Sequence, residues 1–203
     1  MSHARTYVIG LTGNIACGKS LVLNALRDLG AETFDADTVA HEVMRHGTEA
    51  WHQIAARFGD GVIGADGEID RRRLGAIVFS DPAALDALDQ IVHPATVASI
   101  RERIRHSNSA VAVIDAIKLF ESGLNQDCDE IWVVDCTREQ QLERLARRNN
   151  LTREEALKRI DAQPPQAEKR ARADQIIDNS QSAEQTLKTV HAMWDELTHR
   201  RGA

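Results

Sequence analysis

Hydrophobic and polar positions along the chain alternate between two periodicities. Short, almost continuously apolar runs predict buried strands, and longer stretches with an apolar residue every three or four positions predict helices between them. This alternation favours an α/β fold in which a parallel five-stranded sheet is covered by helices on both faces, giving three layers. The predicted strands cover residues 7–11, 32–35, 110–115, 130–135 and 174–178, and the predicted helices cover 19–29, 137–147, 152–161 and 182–198.

The pattern changes between residues 37 and 106, where amphipathic helical stretches replace the strand–helix alternation. These stretches cover residues 38–46, 49–57, 71–79, 82–92 and 94–106. Asp66-Gly67 predicts a turn that could close a short hairpin. We expect this block to be a helical, substrate-binding insertion over the carboxyl ends of the strands, where ligands bind in open α/β sheets.

The most informative motif follows the first strand. Residues 13–20 read Gly-Asn-Ile-Ala-Cys-Gly-Lys-Ser, which is the phosphate-loop spacing G-x-x-x-x-G-K-[ST] placed between a strand and a helix. The two glycines let the backbone turn and bring its N–H groups close to phosphate oxygens. Lys19 adds a positive charge for the β- and γ-phosphates, and the Ser20 hydroxyl is the expected Mg²⁺ ligand. The motif predicts a nucleoside triphosphate site formed by Gly13, Asn14, Ile15, Ala16, Cys17, Gly18, Lys19, Ser20 and the adjoining Leu21.

Carboxylates end two of the other predicted strands. We expect Asp35 to lie beside the phosphate loop, on the expectation that their two strands are neighbours, and to act as the base that deprotonates an attacking hydroxyl. Asp37 is either a substrate-binding residue or the N-cap of a helix starting at Thr38. Asp115 is either a second magnesium-binding carboxylate or an ordinary strand end.

Arginines follow the fourth predicted strand. Phosphoryl transfer spreads negative charge over three oxygens, which a mobile arginine neutralises. Arg148 is the stronger candidate for this role and Arg144 the second; the alternative for each is a solvated surface charge. A capping box from Thr152 to Glu155 then predicts a new helix, and the order helix, polar break, helix is typical of a closing lid, here at about 147–170.

Three further residues are candidates for contacts with ligands. Arg71 opens a run of three arginines that forms either an anion site for a phosphorylated substrate or a solvated helix face. His93, before Pro94, either caps a helix or touches the substrate. Asn179 follows the last predicted strand, where a loop can contact the base of the nucleotide.

Composition narrows the class of protein. The 203 residues carry a formal net charge of -6, which argues against a general nucleic-acid binder. The three cysteines lie far apart without metal-ligand spacing and fit a reducing compartment. Cys17 lies at a helix start that could lower its pKa and make it reactive, although a small loop-filling side chain is the simpler interpretation. No apolar run is long enough for a membrane span and no signal peptide is evident, so we expect a cytoplasmic protein, monomeric or a small homo-oligomer.

Several separated motifs, in the same order along almost the whole chain, resemble the dephospho-coenzyme A kinase family. They are the phosphate loop with its preceding strand, Asp35-Ala36-Asp37 followed by a helix, the segment 69–79, His93-Pro94, the segment 132–156 with Arg159-Ile160 and Gln163, and Ala173-Asp174 with Ile177-Asp178-Asn179.

This resemblance implies a P-loop NTPase-type fold and transfer of the ATP γ-phosphoryl group to the ribose 3′-hydroxyl of dephospho-coenzyme A, with Mg²⁺. It implies a single domain over residues 1–203, with a core of residues 1–37 and 110–203, a helical coenzyme A subdomain over 38–109 and the lid. Asp35 would be the base, Lys19 the phosphate clamp, and Arg148 and Arg144 the lid contacts to the transferring group.

The chain departs from the family pattern at three places. Lys118 replaces part of a proline-containing run near the expected substrate cleft, where it contacts a phosphate or points to solvent. Asn149 stands where an aspartate usually follows Arg148, and Leu21 stands where a threonine usually follows Ser20. These changes concern substrate affinity and lid movement more than the reaction.

Two other functions fit parts of the sequence. One is a kinase of the same fold that acts on a nucleoside or another nucleotide. The other is a nucleotide-hydrolysing switch, although the chain lacks the Asn-Lys-x-Asp loop that a guanine-binding switch needs.

Overall fold

The computed structural model describes residues 5–202, which form a five-stranded sheet with flanking helices. The strand order is β2-β3-β1-β4-β5, and the β1–β3, β1–β4 and β4–β5 pairs are parallel, which confirms the predicted sheet. The strands are β1 Tyr7–Thr12, β2 Glu32–Asp35, β3 Val111–Asp115, β4 Glu130–Asp135 and β5 Gln175–Asp178.

The central strands are apolar because both faces of the sheet are covered. All five residues of β3 are buried, and in β1 only Tyr7 is partly exposed. A strand with one solvated face would alternate apolar and polar residues; a strand buried on both sides is a continuous hydrophobic run. The sheet core is completed by side chains of two helices, α1 Lys19–Asp28 and α9 Ala183–Arg201, which pack against each other.

The chain forms two compact units, the first of residues 5–34 and 107–202 as described and the second of Asp35–His106. The first unit contains the sheet, α1, α9 and the predicted lid region. The helices of that region are α6 Arg138–Asn149, α7 Arg153–Asp161 and α8 Gln166–Arg170. The second unit contains α2 Ala36–Val43, α3 Glu49–Phe58, α4 Arg71–Val78 and α5 Pro82–His106 around its own apolar core.

One prediction about the sheet is wrong. The strands carrying the phosphate loop and Asp35 are not neighbours, because β3 lies between β1 and β2. At the usual spacing of strands, the ends of β1 and β2 are therefore roughly 10 Å apart. The carboxylate at the end of the strand adjoining β1 is Asp115.

Helix α5 is continuous, whereas the sequence predicted a break at His93-Pro94. Proline removes one backbone hydrogen bond, but the helix carries buried residues on both sides of it, Val92 before and Thr96 and Ile100 after. Packing of these side chains offsets the lost bond. The Thr96 hydroxyl also donates to the Val92 carbonyl at 2.8 Å. The Asp66-Gly67 turn is present, closed by a single antiparallel bridge between Ile63 and Ile69.

The carboxyl-terminal helix runs further than expected. The sequence predicted a frayed tail after residue 198, but α9 continues to Arg201. The Arg201 guanidinium donates to the carbonyls of Ala110 and Arg5 and lies 5.0 Å from the centre of the Tyr7 ring. These contacts hold the last turn against the start of the sheet. Between residues 5 and 202 the structure has no helix long and apolar enough to cross a membrane.

Candidate active site

The phosphate loop has the tight backbone that its glycines predict. Gly18 precedes α1 with a φ of 94°, and a Cβ there would lie 1.9 Å from the Asn179 amide nitrogen. Gly13 lies against β4, where a Cβ would approach the Val134 carbonyl oxygen to 2.5 Å. Both positions therefore exclude a side chain, and Ala16 between them also has a positive φ, of 62°.

Lys19 begins α1 and forms an ion pair with Asp115, the last residue of β3. Asp115 is buried, and the Lys19 side chain is only 17% exposed. Because β3 is the neighbour of β1, its carboxyl end brings this carboxylate to the phosphate loop. The pair keeps the lysine oriented at the loop, where a phosphate would compete with Asp115 for the ammonium group.

Asn179 and Arg144 support the far side of the loop. The Asn179 side chain donates to the Cys17 carbonyl at 2.7 Å and accepts from the Thr186 hydroxyl at 2.9 Å. Arg144 donates from one terminal nitrogen to the Asn179 carbonyl at 2.9 Å. Its other terminal nitrogen is buried without a partner among the described residues, 3.8 Å from where a Cβ of Gly18 would be. A buried donor left over beside a phosphate loop is suited to an anion.

Two glutamine side chains accept hydrogen bonds from backbone N–H groups at the start of the loop. The Ile15 N–H donates to the Gln163 side-chain carbonyl at 2.8 Å, and the Asn14 N–H donates to that of Gln166 at 3.0 Å. Gln166 in turn donates to the Val134 carbonyl at 2.9 Å. Its amide thus bridges β4 and the loop at the point where β1 ends. The Asn14 side chain donates to the Pro164 carbonyl at 2.9 Å, which links the loop to the segment before α8.

Cys17 does not have the reactive character considered from the sequence. Its side chain is fully buried, and it accepts a hydrogen bond from the Gln141 amide at 3.3 Å. A side-chain hydrogen bond with Cys136, together with burial, raises the pKa of the Cys17 thiol. The lowered pKa that the helix start could have produced is therefore not found, because the hydrogen bond with Cys136 and burial both disfavour the thiolate. The simpler interpretation, a small side chain that fills the loop, agrees with the structure.

Arg144 and Arg148, the two arginines predicted to contact the transferring group, lie in different surroundings, although both are on α6. Arg144 is half-buried at the phosphate loop, as described above. Arg148 is exposed and donates to the side chain of its neighbour Asn149 at 3.1 Å. Helix α7 begins with the predicted capping box between Thr152 and Glu155. A separate apolar cluster joins α6 to α7, and Ile15 of the loop packs against it.

In the second unit, Asp35 is the N-cap of α2. One carboxylate oxygen accepts from the backbone N–H groups of Asp37 and Thr38 at 2.9 and 3.3 Å, and the other accepts from the Thr38 hydroxyl at 3.0 Å. The helix begins at Ala36, so the alternative that Asp37 caps a helix from Thr38 is wrong. Both carboxylates are exposed.

Arg71 lines a pocket of about 190 Å³ in the second unit, together with His41, Met44, Arg45, Glu68 and Ile69. The two arginines of this small concave site outnumber its one carboxylate, Glu68, which favours an anionic ligand. His93 lies on α5, 3.5 Å from the Asp89 carboxylate one turn earlier. Lys118, in the first unit, is exposed on the segment after β3.

Comparison with known proteins identifies the family. The profile of the dephospho-CoA kinase family matches residues 7–185. The chain belongs to this family. Dephospho-CoA kinase of Symbiobacterium thermophilum is 45% identical over 92% of this chain and 80% of its own length. Dephospho-CoA kinase of Geobacillus kaustophilus is 44% identical over 95% and 98%.

Solved structures agree with this assignment. Dephospho-CoA kinase from Campylobacter jejuni superposes with a TM-score of 0.74 at 28% identity, over 96% of this chain and 98% of that one. Shikimate kinase from Aquifex aeolicus, at 17% identity and a TM-score of 0.52 over 97% and 99%, shares the fold alone. The P-loop kinase fold is thereby confirmed. As a dephospho-CoA kinase family member the chain is a transferase, and the family catalyses the final step of coenzyme A biosynthesis.

The residues around the loop fit a magnesium nucleotide. The Ser20 hydroxyl is exposed in the first turn of α1 and is an oxygen donor of the type that Mg²⁺ prefers. In P-loop kinases Mg²⁺ has few protein ligands and takes the rest from phosphates and water. In this dephospho-CoA kinase family member Ser20 would therefore hold the ion, whose charge would offset that of the phosphates.

Sequence reasoning missed three side chains that reach the loop region. Gln163, Gln166 and Lys169 were not assigned to the site, and α8, which carries two of them, was not predicted. The signal was the three-residue spacing of Gln166 and Lys169 directly after Pro164-Pro165, which places these two side chains on one side of a short helical segment. Gln163 entered only as part of the family resemblance.

Proposed function

We propose that this protein transfers the γ-phosphoryl group of ATP to the ribose 3′-hydroxyl of dephospho-coenzyme A and so produces coenzyme A. The observation that carries the proposal is the phosphate loop, with Lys19 held at Asp115, in a chain of the dephospho-CoA kinase family. A loop that excludes side chains at Gly13 and Gly18 leaves room for phosphates close to the backbone.

The γ-phosphoryl group would be held by cations of the first unit. Lys19 would exchange Asp115 for the β- and γ-phosphates, and the unpartnered nitrogen of Arg144 would donate to a phosphate oxygen. Arg148, now on the surface, would approach the transferring group when the lid closes over the nucleotide. The contact of Asn179 with the nucleotide base remains a prediction beside its observed role in supporting the loop.

Asp35 would be the base. Its hydrogen bonds from Asp37 N–H, Thr38 N–H and the Thr38 hydroxyl fix the orientation of the carboxylate, and its exposure leaves it open to a substrate hydroxyl. It would take the 3′-hydroxyl proton while the new bond to phosphorus forms.

The acceptor substrate would lie against the second unit. Dephospho-coenzyme A carries a pyrophosphate, and the cationic pocket with Arg71 and Arg45 is suited to such a group. Asp37 and His93 are further proposed contacts, and Lys118 a proposed phosphate contact. Cytoplasmic location, assembly as a monomer or small homo-oligomer, and the absence of nucleic-acid partners also remain predictions.

The test is ADP release by the purified protein with Mg²⁺-ATP, with dephospho-coenzyme A, adenosine or AMP as acceptor, and with none. Release that depends on dephospho-coenzyme A alone supports the proposal. Release with another acceptor would keep the kinase and change the substrate. Slow release that is indifferent to every acceptor would indicate a nucleotide hydrolase and reject the proposed reaction.

A further inference from the structure

The first unit contains a buried lysine that none of the roles above uses. Lys169, near the end of α8, is 2% exposed. Its ammonium group donates to the Ile117 carbonyl at 2.6 Å, and within residues 5–202 no carboxylate forms an ion pair with it. Lysine is almost never buried without a charged partner, because removing the ammonium from water is unfavourable. Burial lowers the pKa of Lys169; Glu121 and the Cys17 thiol partly oppose this shift, and the charge of Lys19 adds to it.

The hydrogen bond to Ile117 does not account for this lysine. The same carbonyl already accepts from the Thr12 hydroxyl at 3.2 Å. A buried carbonyl with one donor is satisfied, so an apolar side chain at position 169 would leave no unpaired group. An ammonium group carries three donors, and Lys169 uses one of them.

The chain around Lys169 is fixed on the phosphate loop. Gln163 and Gln166 bind the N–H groups of Ile15 and Asn14, and Arg170 pairs with Asp135 at the end of β4 at 2.9 Å. These contacts lay α8 across the carboxyl ends of the sheet, with Lys169 directed to the segment after β3. Asp115, the partner of Lys19, lies two residues before Ile117, the partner of Lys169.

The two ammonium groups therefore reach neighbouring points at the end of β3, beside the loop. Like charges that converge in a buried place repel each other unless an anion lies between them. Asp115 neutralises Lys19. The Lys169 ammonium group is hydrogen-bonded to the Ile117 carbonyl. Besides Lys19, the ionisable groups close enough to affect its charge are the exposed Glu121 carboxylate and the Cys17 thiol. The carboxylate that favours the Lys169 ammonium is thus on an exposed residue, and a γ-phosphate bound at the loop would add a negative charge on the buried side.

We propose that Lys169 is a catalytic residue, a second phosphate lysine that donates to a non-bridging oxygen of the transferred γ-phosphoryl group. This rests on the proposed function. In the reaction the 3′-oxygen of the acceptor bonds to the γ-phosphorus and the bond from that phosphorus to the β–γ bridging oxygen breaks, releasing ADP. The hydroxyl proton passes to Asp35. Lys169 keeps its own proton throughout and stabilises the charge on the equatorial oxygens.

The experiment uses Lys169→Met, which removes charge and donor, and Lys169→Gln, which removes the charge but retains a donor for Ile117. The matched control is Lys158→Met, which removes an exposed lysine from α7, paired with Glu154 at 3.2 Å. For each protein we would measure kcat and KM for dephospho-coenzyme A, the melting temperature, and the separate affinities for ADP and for a non-hydrolysable ATP analogue.

We expect both Lys169 variants to lose about 10²–10³-fold in kcat, the size typical of a lost transition-state donor. We also expect weaker binding of the ATP analogue but not of ADP, since ADP has no γ-phosphate. The melting temperature should be unchanged or higher, because a buried unpaired charge is gone. Lys158→Met should match the wild type in every measurement.

Two results would overturn the proposal. A lower melting temperature with nearly normal kcat would make Lys169 a structural anchor of α8. Equal loss of ADP and ATP-analogue affinity would mean that Lys169 acts on the shape of the loop. If the wild type fails to phosphorylate dephospho-coenzyme A, the proposed function fails, whereas the difference between ADP and ATP-analogue binding still tests Lys169 alone.

Discussion

Individual side chains of the candidate site have more than one role. Asn179, considered first as a contact to the nucleotide base, uses its side-chain amide and carbonyl to join the Cys17 carbonyl to Thr186 of α9. Asp35, the candidate base, also caps α2. A substitution at such a residue changes stability and chemistry together, so the useful variants are those that separate the two.

Asp35→Asn is such a variant. Asparagine caps helices as well as aspartate does, so the free energy of unfolding should change by only a few tenths of a kcal/mol. The amide cannot take the hydroxyl proton, and we expect kcat to fall by about 10²–10⁴-fold with unchanged ATP affinity. Steady-state kinetics, nucleotide binding and urea unfolding check these outcomes.

The control is Asp81→Asn, since Asp81 accepts a hydrogen bond from the Ala83 N–H in the first turn of α5 at 2.9 Å and has no proposed catalytic role. It should leave kcat unchanged. Turnover near the wild-type value in Asp35→Asn would reject Asp35 as the base.

At the scale of elements, local sequence signals located most helices and strands, and packing decided the exceptions. The capping boxes at Thr137–Gln140 and Thr152–Glu155 start α6 and α7, and only the second was recognised from the sequence. Pro94 is the clearest exception, because a proline normally ends a helix and here does not. The helix persists since its buried side chains extend on both sides of the proline.

Pro94→Ala should therefore stabilise the protein. It restores an N–H donor inside α5, where proline costs up to about 3 kcal/mol relative to alanine, and the position is exposed. We expect the free energy of unfolding to rise by about 1–3 kcal/mol, measured by urea denaturation.

Pro82→Ala is the control variant, because Pro82 is the first residue of α5. At that position a backbone N–H would have no intrahelical partner, so proline costs no hydrogen bond. This substitution should change stability little. A loss of stability in Pro94→Ala would show that the packing of α5 depends on the distortion that the proline introduces.

At the scale of the whole molecule, the pH dependence of stability comes from ionisable groups that are buried on folding, and Cys128 is one of them. Cys128 packs under β1, where a Cβ on Gly10 would come within 2.7 Å of its sulfur. Burial and the carboxylates of Asp127 and Asp129 raise the pKa of its thiol from 9.0 to about 12. A raised pKa in the folded state means that the unfolded chain releases the proton at lower pH.

Stability should therefore be fully present below pH 9 and fall as the pH rises from 9.0 to about 12. The loss attributable to Cys128 is at most about 4 kcal/mol. Cys128→Ser, whose hydroxyl does not titrate in this range, should show a shallower fall in the free energy of unfolding between pH 9 and 11. Equal slopes for the two proteins would contradict the prediction, and unfolding at pH 7 measures the effect of the substitution itself.

The sequence determined the features that depend on neighbouring residues. The phosphate loop from Gly13 to Ser20, the apolar strands and the Thr152 cap each depend on a short segment, and an ordered set of such segments was enough to indicate the family. Glycine spacing, hydrophobic periodicity and helix-capping residues are local properties, so they can be recognised from the amino-acid sequence alone.

Only the tertiary structure decided which distant residues meet. It put β3 between β1 and β2, so that Asp115 and not Asp35 adjoins Lys19. It also brought Gln163 and Gln166 to the loop about 150 residues earlier, and Lys169 to the Ile117 carbonyl after β3. The reason is physical: strand order and long-range side-chain contacts are set by the packing of the whole core, and no short segment of the chain contains that information.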